Sequence, residues 1–377
     1  MIKVSQGCLG NEELAQVGEA FEYGYFGLAQ KVIEFEEALK GYLGAPHVIC
    51  TNTGTSALHL ALDALGIGAG DEVIVPSLTF VASFQAIRIT GATPIAVDVE
   101  PDTLLMDLAD VERRITRRTK AIMPVHFAGN ACDMEALFDL ASRHGVRIVE
   151  DAAHAFGSTY KGRRIGGFGD VVCFSFDSIK NITCGEGGAI VCREDSLAEL
   201  IRSKRVLGMN RKLHDASSWK ERSGRFKVET LGFRYHMSNI NAAIGLAQLK
   251  KVDGFIARRR EISLRYDEAF AHLPGIQSLH IDYNECAPHI YVVRVKDNRR
   301  DSLVGFLRQR EIESLINYTP NHLHPYFRQD DLILPETENA YKEILALPLH
   351  CALSDADVDL VIAAVGEFLK SPAEVKR

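Results

Sequence analysis

Seven short apolar segments, separated by helical patterns, constrain the fold of this chain more than any other feature. The segments are HVIC, DEVIVPS, TPIAVDV, KAIMPVHF, VRIVEDAA, DVVCFSF and GAIVC. Turn residues bound each of them, as is typical of buried strands, and segments of helical period such as SALHLALDALG and MEALFDLASRHG lie between many of them. Strands that alternate with helices favour a mostly parallel sheet covered on both faces. The sequence therefore predicts an α/β fold with a sheet of about seven strands over roughly residues 45 to 210.

The pattern changes in the second half of the chain. A polar stretch, HDASSWKERSGRFK, precedes one long helical pattern from Asn239 to Phe270, whose charged middle suggests a connection between domains. HIYVVRV then indicates a strand, SLVGFLRQREI a helix, and DADVDLVIAAVGEFLK an amphipathic helix. At 377 residues the chain is long enough for two domains. We predict a large domain over residues 1–250 and a smaller α+β domain over 251–377.

The charge of the chain argues against several classes of partner. Its formal net charge of -7 disfavours nucleic acid and anionic membranes, because affinity for phosphate comes mainly from clustered Lys and Arg. The run IRSKRVLGMNRK (201–212) is locally basic, and we interpret it as a solvated helix face and loop, with a basic patch as the alternative. No apolar stretch is long enough to span a membrane, and the first residues do not resemble a secretion signal. We expect a soluble, cytoplasmic protein.

The eight cysteines indicate neither a metal site nor a disulfide framework. They form no CxxC pair, and several lie inside apolar segments such as VIC and VVCF. Cysteines in such segments behave as small apolar core residues. We therefore predict reduced cysteines and no metal.

Polar residues follow several of the predicted strands, at the sheet edge where open α/β folds bind ligands. After HVIC, the turn TNTGTS opens a helix and offers free backbone N–H groups and hydroxyls to a phosphate, with Thr55 and Ser56 as simple helix caps in the alternative. Asp151 ends the strand VRIV with His154 three residues later, and its alternative is a cap or ion pair. Phe80 follows EVIV, where a core phenylalanine is the ordinary explanation.

Lys180 follows the apolar strand VVCFSF, a place where lysine is normally avoided. Its ordinary explanation is a side chain that extends from the strand end to solvent. Considered together, the four strand ends describe one ligand. A phosphate, a flat ring that stacks on Phe80, a ring nitrogen that pairs with Asp151 and an aldehyde that reacts with Lys180 are the parts of pyridoxal 5'-phosphate (PLP).

The chain also resembles the DegT/DnrJ/EryC1/StrS family of nucleotide-sugar aminotransferases, which have the fold type I of PLP-dependent enzymes. The segments that carry the resemblance are TGTSALHLAL, GDEVIVPSLTFVAS, GATPIAVDVEPDTL, PVHFAG, VEDAAHAFGSTYKG, FSFDSIKNITCGEGGAIV, GFRYHMSNINAAIGLAQL and LPLH. They cover nearly the whole chain. VHFAG, DAAHA and SIKNITCGEGG are most similar to the members that aminate C4 of a 4-keto sugar nucleotide.

The resemblance implies a role for each residue at the cofactor. Lys180 would form the Schiff base, Asp151 would pair with the pyridine nitrogen, His154 would approach the phenolic oxygen, and Phe80 would stack on the ring. The residues implied to bind the phosphate are Gly54, Thr55, Ser56 and Ser175, with Arg234 from the other subunit of a homodimer.

Three positions depart from the family pattern. The segment GFRYHM has Arg234 where relatives usually carry Asn and His236 where they carry Arg, and Asp177 stands where many relatives carry His. Arg234 could preserve the phosphate contact through a charge-assisted or bidentate bond, with a contact to the sugar nucleotide as the alternative. For the sugar nucleotide, the sequence suggests Asp177, Glu186, His236, Tyr318, His322 and His324, and for the two loop histidines a surface or packing role is the alternative.

The predicted activity is transfer of an amino group from L-glutamate, which leaves as 2-oxoglutarate, to a nucleotide-linked 4-keto-6-deoxyhexose, with the cofactor cycling through the pyridoxamine form (PMP). The preferred acceptor is dTDP-4-keto-6-deoxyglucose, for a surface polysaccharide such as O-antigen. A UDP-4-keto sugar or a 3-keto sugar nucleotide is the alternative. Sugar dehydratases of similar sequence carry histidine in place of Lys180, so Lys180 argues against that activity. A NAD-binding fold would require a GxGxxG motif after the first strand, and the sequence has none there. Outside enzymes, the alternative is a regulator that binds PLP without catalysis.

Overall fold

The computed structural model describes residues 1–210, 227–328 and 331–371. The polar stretch at 214–227 lies, apart from its last residue, outside these ranges, as do the last two residues of the basic run at 201–212. Within them the helices are α1 (Asn11–Tyr23), α2 (Gln30–Leu43), α3 (Gly54–Ala64), α4 (Val81–Ile89), α5 (Leu108–Arg114), α6 (Met134–His144), α7 (Asp195–Lys204), α8 (Asn239–Leu249), α9 (Val252–Phe270), α10 (Arg300–Gln309), α11 (Pro335–Glu343) and α12 (Asp355–Lys370). The strands are β1 (His47–Thr51), β2 (Glu72–Pro76), β3 (Thr93–Val97), β4 (Thr119–Ile122), β5 (Arg147–Asp151), β6 (Thr159–Tyr160), β7 (Arg163–Arg164), β8 (Val171–Ser175), β9 (Gly188–Cys192), β10 (Met209–Asn210), β11 (Lys227–Val228), β12 (Ile276–Ser278), β13 (Tyr291–Val295) and β14 (Ile344–Leu347).

The seven predicted strands form one sheet, in the order β1-β9-β8-β5-β4-β2-β3. Strand β9 pairs antiparallel with both of its neighbours, and the other pairs are parallel. Six strands therefore run in one direction, and their carboxyl ends meet at one edge. This arrangement confirms the prediction of a mostly parallel sheet.

The two faces of this sheet are buried in separate clusters of apolar side chains. Along β1, Val48 and Cys50 pack in one cluster and Ile49 packs in the other, and Ile148 and Val149 divide in the same way along β5. The alternation follows from the two-residue period of a strand. Helices α2, α6 and α8 contribute to the first cluster and α3, α4 and α7 to the second, so helices cover both faces.

A second, antiparallel sheet of β12, β13 and β14 packs with α9, α10 and α12 around a third apolar cluster. The pattern predicted as one long helix from Asn239 to Phe270 is two helices, because α8 ends before Lys250 and α9 begins after Lys251. At this break Lys251 pairs with the buried Glu13 of α1. The division into two domains at residue 250 stays a prediction.

The described part of the basic run, residues 201–210, is not the solvated face that the sequence suggested. Arg205 is only 1% exposed and forms an ion pair with Glu36 of α2. Its guanidinium also donates to the Cys50 carbonyl at 2.7 Å, and the Cys50 N–H donates to Glu36 at 2.8 Å. Lys204 pairs with Asp63 at 2.6 Å. The carboxylate and the carbonyl, which both bind Nη1, offset part of the cost of burying this cation.

Six of the eight cysteines are buried as predicted, and Cys8 and Cys351 are partly exposed. None of the helices that the structure describes is long and apolar enough to cross a lipid bilayer.

Candidate active site

A cavity of about 520 Å³ opens at the carboxyl ends of β1, β2, β5 and β8. Of the residues that the sequence singled out, ten line it: Gly54, Thr55, Phe80, Asp151, His154, Ser175, Asp177, Lys180, Glu186 and Tyr318. Convergence at this edge follows from the sheet, because parallel strands bring the loops after their carboxyl ends together. The volume is in the range of ordinary small-molecule sites.

The first turn of α3 forms one end of the cavity. No hydrogen bond from the N–H groups of Gly54 and Thr55 occurs among the residues that the structure describes, and neither does one from the Thr55 hydroxyl. The Ser175 hydroxyl lies beside them and accepts only a long bond from the Asp177 N–H, at 3.4 Å. Free donors at a helix N-terminus attract an anion. This end therefore suits a phosphate.

Glycine is required at position 54 by its close approach to β8. A Cβ there would lie 2.7 Å from Cβ of Ser175, closer than real Cβ contacts allow. The glycine thus lets the start of α3 pack directly against the end of β8.

Ser56 takes part in a helix cap and does not line the cavity. Thr53 is the N-cap residue of α3, and its hydroxyl accepts from the Ser56 N–H at 3.0 Å. The Ser56 hydroxyl accepts from the Thr53 N–H at 3.1 Å and donates to Asn52 at 2.6 Å. This reciprocal arrangement is a capping box. The alternative of a structural cap, raised from the sequence for Ser56, is therefore the one that the hydrogen bonds support.

Phe80 is not a core residue. The residue is 54% exposed, and its ring packs against that of Tyr318, with the two centroids 5.6 Å apart. The preceding turn is fixed by the buried Asn321, whose amide donates to the carbonyls of Ser77 and Thr79 at 3.1 and 2.8 Å. A large apolar ring exposed in a cavity is a surface on which a planar ligand can stack.

Asp151 ends β5 in a buried position with neutral hydrogen-bond partners. It accepts from the Ser83 hydroxyl at 2.7 Å and from the Ala153 N–H at 3.2 Å. No cation of the described chain lies within 4 Å of its carboxylate, so the structural ion pair considered from the sequence is absent there. Burial raises the pKa of Asp151, and these hydrogen bonds and the charge of Lys180 offset only part of the rise. Such a carboxylate lacks a cationic partner.

Lys180 extends into the cavity from the loop after β8. Burial lowers the pKa of Lys180 to about 8, although the carboxylates of Asp151 and Asp177 act in the opposite direction. A lysine with a pKa near 8 has a substantial fraction of neutral amine at physiological pH. The neutral amine is the form that attacks a carbonyl carbon.

His154 is held in one orientation by two partners. The Ala128 N–H donates to its Nδ1 at 3.4 Å, so Nε2 carries the ring hydrogen and donates to the Tyr318 hydroxyl at 2.9 Å. Burial and the charge of Lys180 lower the pKa of His154 well below its ordinary value. The imidazole is therefore neutral.

The cavity mouth carries two carboxylates close together. Asp177 accepts from the Ile179 N–H at 3.2 Å, and Glu186 is exposed in the turn before β9. Burial and the neighbouring charge of Asp177 raise the pKa of Glu186. Carboxylates in this position can accept hydrogen bonds from hydroxyl groups of a ligand.

Four further residues predicted from the sequence lie away from the cavity of their own chain. Arg234 is exposed, and His236 forms a β-bridge with Thr51. His322 is buried and contacts the Ser77 hydroxyl at 2.6 Å and Glu338 at 3.4 Å, and His324 ends the adjacent 3-10 turn. The packing alternative fits the contacts of His322, and a substrate role for each of these residues stays a prediction.

His289, which no sequence pattern singled out, contacts the predicted nucleophile. Its Nε2 lies 3.4 Å from Nζ of Lys180, and its ring centroid is 4.4 Å from that of His154. His289 is 3% exposed and precedes β13. The available signal was a polar residue at the start of the apolar segment HIYVVRV.

Comparisons with known proteins identify the family. Residues 7–366 match the DegT/DnrJ/EryC1/StrS aminotransferase family. The spore coat polysaccharide biosynthesis protein SpsC of Bacillus subtilis (strain 168) is 39% identical over 376 residues, which cover 96% of this chain and 95% of SpsC.

Solved structures agree over nearly the whole chain. The aminotransferase TlmJ of Streptoalloteichus hindustanus matches with a TM-score of 0.91 and 36% identity, covering 98% of this chain and 99% of TlmJ. The sugar aminotransferase Spr1654 of Streptococcus pneumoniae matches at 31% identity over 98% of this chain and 99% of its own, with TM-scores of 0.91 for its PMP form and 0.90 for its PLP form. The chain belongs to the DegT/DnrJ/EryC1/StrS family and is a PLP-dependent sugar aminotransferase of fold type I.

Proposed function

We propose that this enzyme transfers the amino group of L-glutamate to the keto carbon of a nucleotide-linked 4-keto-6-deoxyhexose. The observation that carries the proposal is the cavity, in which the amine of Lys180, the unpaired carboxylate of Asp151 and the free N-terminus of α3 converge. The expected acceptor is dTDP-4-keto-6-deoxyglucose, and the product would enter a surface polysaccharide such as O-antigen. SpsC is a spore coat polysaccharide biosynthesis protein, which supports a polysaccharide as the destination.

The residues of the cavity fit each part of PLP. The N–H groups of Gly54 and Thr55, with the hydroxyls of Thr55 and Ser175, would hold the phosphate. The exposed ring of Phe80 would cover one face of the pyridine ring. Asp151 would meet the ring nitrogen, whose proton provides the cationic partner that the carboxylate lacks.

The chain's own residues would then handle the protons. When bound, PLP supplies an aldehyde for the amino group and a ring that accepts electrons. Lys180 would hold the cofactor covalently between turnovers, and its amine, once released, would take a proton from the carbon that bears the amino group of the donor. In the second half-reaction, the same amine would return a proton to the sugar carbon that receives the amino group.

Asp151 and His154 would set the electronic state of the site. A buried carboxylate opposite the ring nitrogen keeps the proton on that nitrogen, which strengthens the ring as an electron acceptor. His154 is fixed by Ala128 and Tyr318, and as a neutral imidazole near the phenolic oxygen it would contribute a hydrogen bond without adding a charge.

The sugar pocket would involve Asp177, Glu186 and Tyr318, which line the cavity. Two carboxylates repel a phosphate, so we expect them to face the hexose hydroxyls rather than the nucleotide. Arg234 and His236 would reach the site from the partner subunit of a homodimer. The exposed position of Arg234 in its own chain supports this assignment.

The test is an absorbance titration of the PLP-loaded protein with a panel of amino-sugar nucleotides in the presence of 2-oxoglutarate. A 4-amino-6-deoxy sugar linked to dTDP should convert the bound cofactor's spectrum. Conversion only by UDP-linked 4-amino sugars, or only by 3-amino sugars, would replace the proposed acceptor with one of those two. A spectrum that no member of the panel changes would contradict a nucleotide-sugar acceptor.

Lys180→Ala is the variant with the clearest outcome. It should retain the fold, lose covalent attachment of PLP and lose turnover, because no other amine lines the cavity among the residues described. Borohydride reduction followed by mass spectrometry of peptides measures the attachment. Turnover at the wild-type rate, or PLP attached to another residue of the cavity in the variant, would show that another group acts as the nucleophile.

A further inference from the structure

Two buried imidazoles lie side by side against one backbone unit, that of Ala128. The Ala128 N–H donates to Nδ1 of His154 at 3.4 Å, and the Ala128 carbonyl accepts from the His289 N–H at 3.0 Å. Ala128 has a φ of 59°, in the left-handed region, so its N–H and carbonyl serve two different segments. The rings of His154 and His289 are consequently fixed 4.4 Å apart, beside Lys180.

The backbone of His289 is held on both sides. Its carbonyl accepts from Nη1 of the buried Arg259 in α9 at 2.9 Å, and its N–H is bound to Ala128. The ring itself is buried and contacts the ring of His154, so burial and packing hold it against Lys180. Fixed contacts of this kind are what orient a reacting group.

The charges around Lys180 come from several segments. Asp151 at the end of β5 and Asp177 on the lysine's own loop are acidic, and neither lies within 4 Å of the amine. His154, His289 and the hydroxyl of Tyr318 are neutral groups beside or near the amine. Arg259 lies behind His289 and acts against a positive charge on its ring.

The surroundings of His289 select its tautomer. Nδ1 is buried and has no hydrogen-bond partner among the residues that the structure describes. A buried N–H without an acceptor is rarer in proteins than an acceptor without a donor, so the ring hydrogen is better placed on Nε2. Burial, together with the charges of Lys180 and Arg259, lowers the pKa of His289 well below its ordinary value, which excludes the doubly protonated ring. Nε2, the atom that faces Lys180, then carries the hydrogen.

We propose that His289 is a positioning residue that donates a hydrogen bond from Nε2 to the lone pair of the Lys180 amine and so favours the neutral amine. An ammonium group has no lone pair to accept this bond. The contact therefore prepares Lys180 for attack on the aldehyde and favours release of any proton that the amine takes up. The proposal rests on the proposed role of Lys180 as the group that attaches the cofactor.

The opposite tautomer makes the opposite prediction. If Nε2 accepted a hydrogen bond from the lysine ammonium, the imidazole would stabilise the charged form. Removal of the ring would then lower the pKa of Lys180, whereas loss of a donor to the neutral amine raises it. The direction of the shift separates the two arrangements, and a purely structural role predicts no shift.

The experiment measures the rate at which PLP attaches to cofactor-stripped protein between pH 6.5 and 10. Attachment is stopped with borohydride and quantified by mass spectrometry of the Lys180 peptide. In the wild-type protein the rate should rise through a midpoint near pH 8. In His289→Phe the midpoint should move up by about one pH unit, which slows attachment roughly tenfold at pH 7.5.

Three further variants control this measurement. His289→Gln restores a side-chain N–H donor and should bring the midpoint part of the way back. His59→Phe removes another buried imidazole, one that contacts the Tyr235 hydroxyl at 3.1 Å and does not contact Lys180. This variant should leave the midpoint unchanged. If His289→Phe does not fold, as judged by circular dichroism, His289→Leu provides a second apolar replacement with the same expected shift.

An unchanged or lowered midpoint in the folded His289→Phe or His289→Leu protein would overturn the inference. That outcome leaves the proposed function intact, provided that wild-type attachment occurs at Lys180. Absence of attachment at Lys180 in the wild-type protein would instead overturn the proposed function itself.

Discussion

Glu150 and Asp151 are consecutive acids on β5, and their surroundings differ in kind. Glu150 is fully buried beneath the sheet and contacts Nε2 of His126 at 3.0 Å. The Cys132 N–H donates to Nδ1 of the same imidazole at 3.1 Å, so Nε2–H donates to the carboxylate. Asp151 points the other way, into the cavity, and within the described ranges its carboxylate receives bonds only from Ser83 and Ala153. Neighbouring side chains on a strand face opposite sides, which brings the two acids into different environments.

The difference shows how to tell a structural carboxylate from a functional one. Burial raises the pKa of both acids, so the pKa shift alone does not separate them. What separates them is the partner. An imidazole within the fold binds one oxygen of the Glu150 carboxylate, whereas the position opposite Asp151 is open cavity. A buried carboxylate that lacks a partner from its own chain indicates that a ligand supplies one.

The largest expected effect is that of Asp151→Asn on activity. The amide keeps the size of the side chain and the bond from Ser83, but it cannot hold a proton on the ring nitrogen, so turnover should fall by about a thousandfold or more. The free energy of unfolding of the cofactor-free protein should not decrease, because the change removes a buried charge that has no counter-ion. Steady-state kinetics and urea denaturation measure the two quantities. Near-normal turnover would exclude Asp151 from the electronic role.

His126→Leu should have the reverse profile. It leaves the Glu150 carboxylate buried without its donor, which should cost about 3 kcal/mol in the free energy of unfolding. PLP affinity and turnover of the folded protein should stay close to wild type, because His126 does not line the cavity. His59→Leu is the matched control, since it removes a buried imidazole that contacts a neutral hydroxyl and should cost less. A loss of turnover with unchanged stability would contradict the comparison.

The fold could be predicted from the sequence because its signals are local. Short apolar runs predict all seven strands of the large sheet, and apolar residues at helical spacing predict the amphipathic helix at Asp355–Lys370. The break between α8 and α9 was not visible, because Lys250 and Lys251 do not interrupt a helical period. The burial of Arg205 was also missed, since its partner Glu36 is distant in sequence.

The site was predictable only as far as strand ends reveal it. Lys180, Asp151 and Phe80 each follow an apolar strand, and the parallel sheet brings them to one cavity. His289 comes from the region of the second sheet, and nothing in the sequence near it records its proximity to Lys180. The TNTGTS turn suggests Ser56 as a phosphate ligand. Whether its hydroxyl bonds to Thr53 and Asn52 or points into the cavity depends on the side-chain torsion, which the sequence does not reveal.

The smallest expected effects repeat the comparison at the first turn of α3, between Thr55 and Ser56. Ser56→Ala removes the bonds to Asn52 and Thr53 and should cost about 1 kcal/mol in the free energy of unfolding, with little change in PLP affinity. Thr55→Ala removes a hydroxyl without a partner in the described structure, so it should leave stability unchanged and weaken PLP binding roughly tenfold. Urea denaturation and a PLP-binding titration measure the pair. If Ser56→Ala weakens PLP binding as much as Thr55→Ala does, both hydroxyls contact the phosphate. The capping box then does not keep the Ser56 hydroxyl away from the ligand.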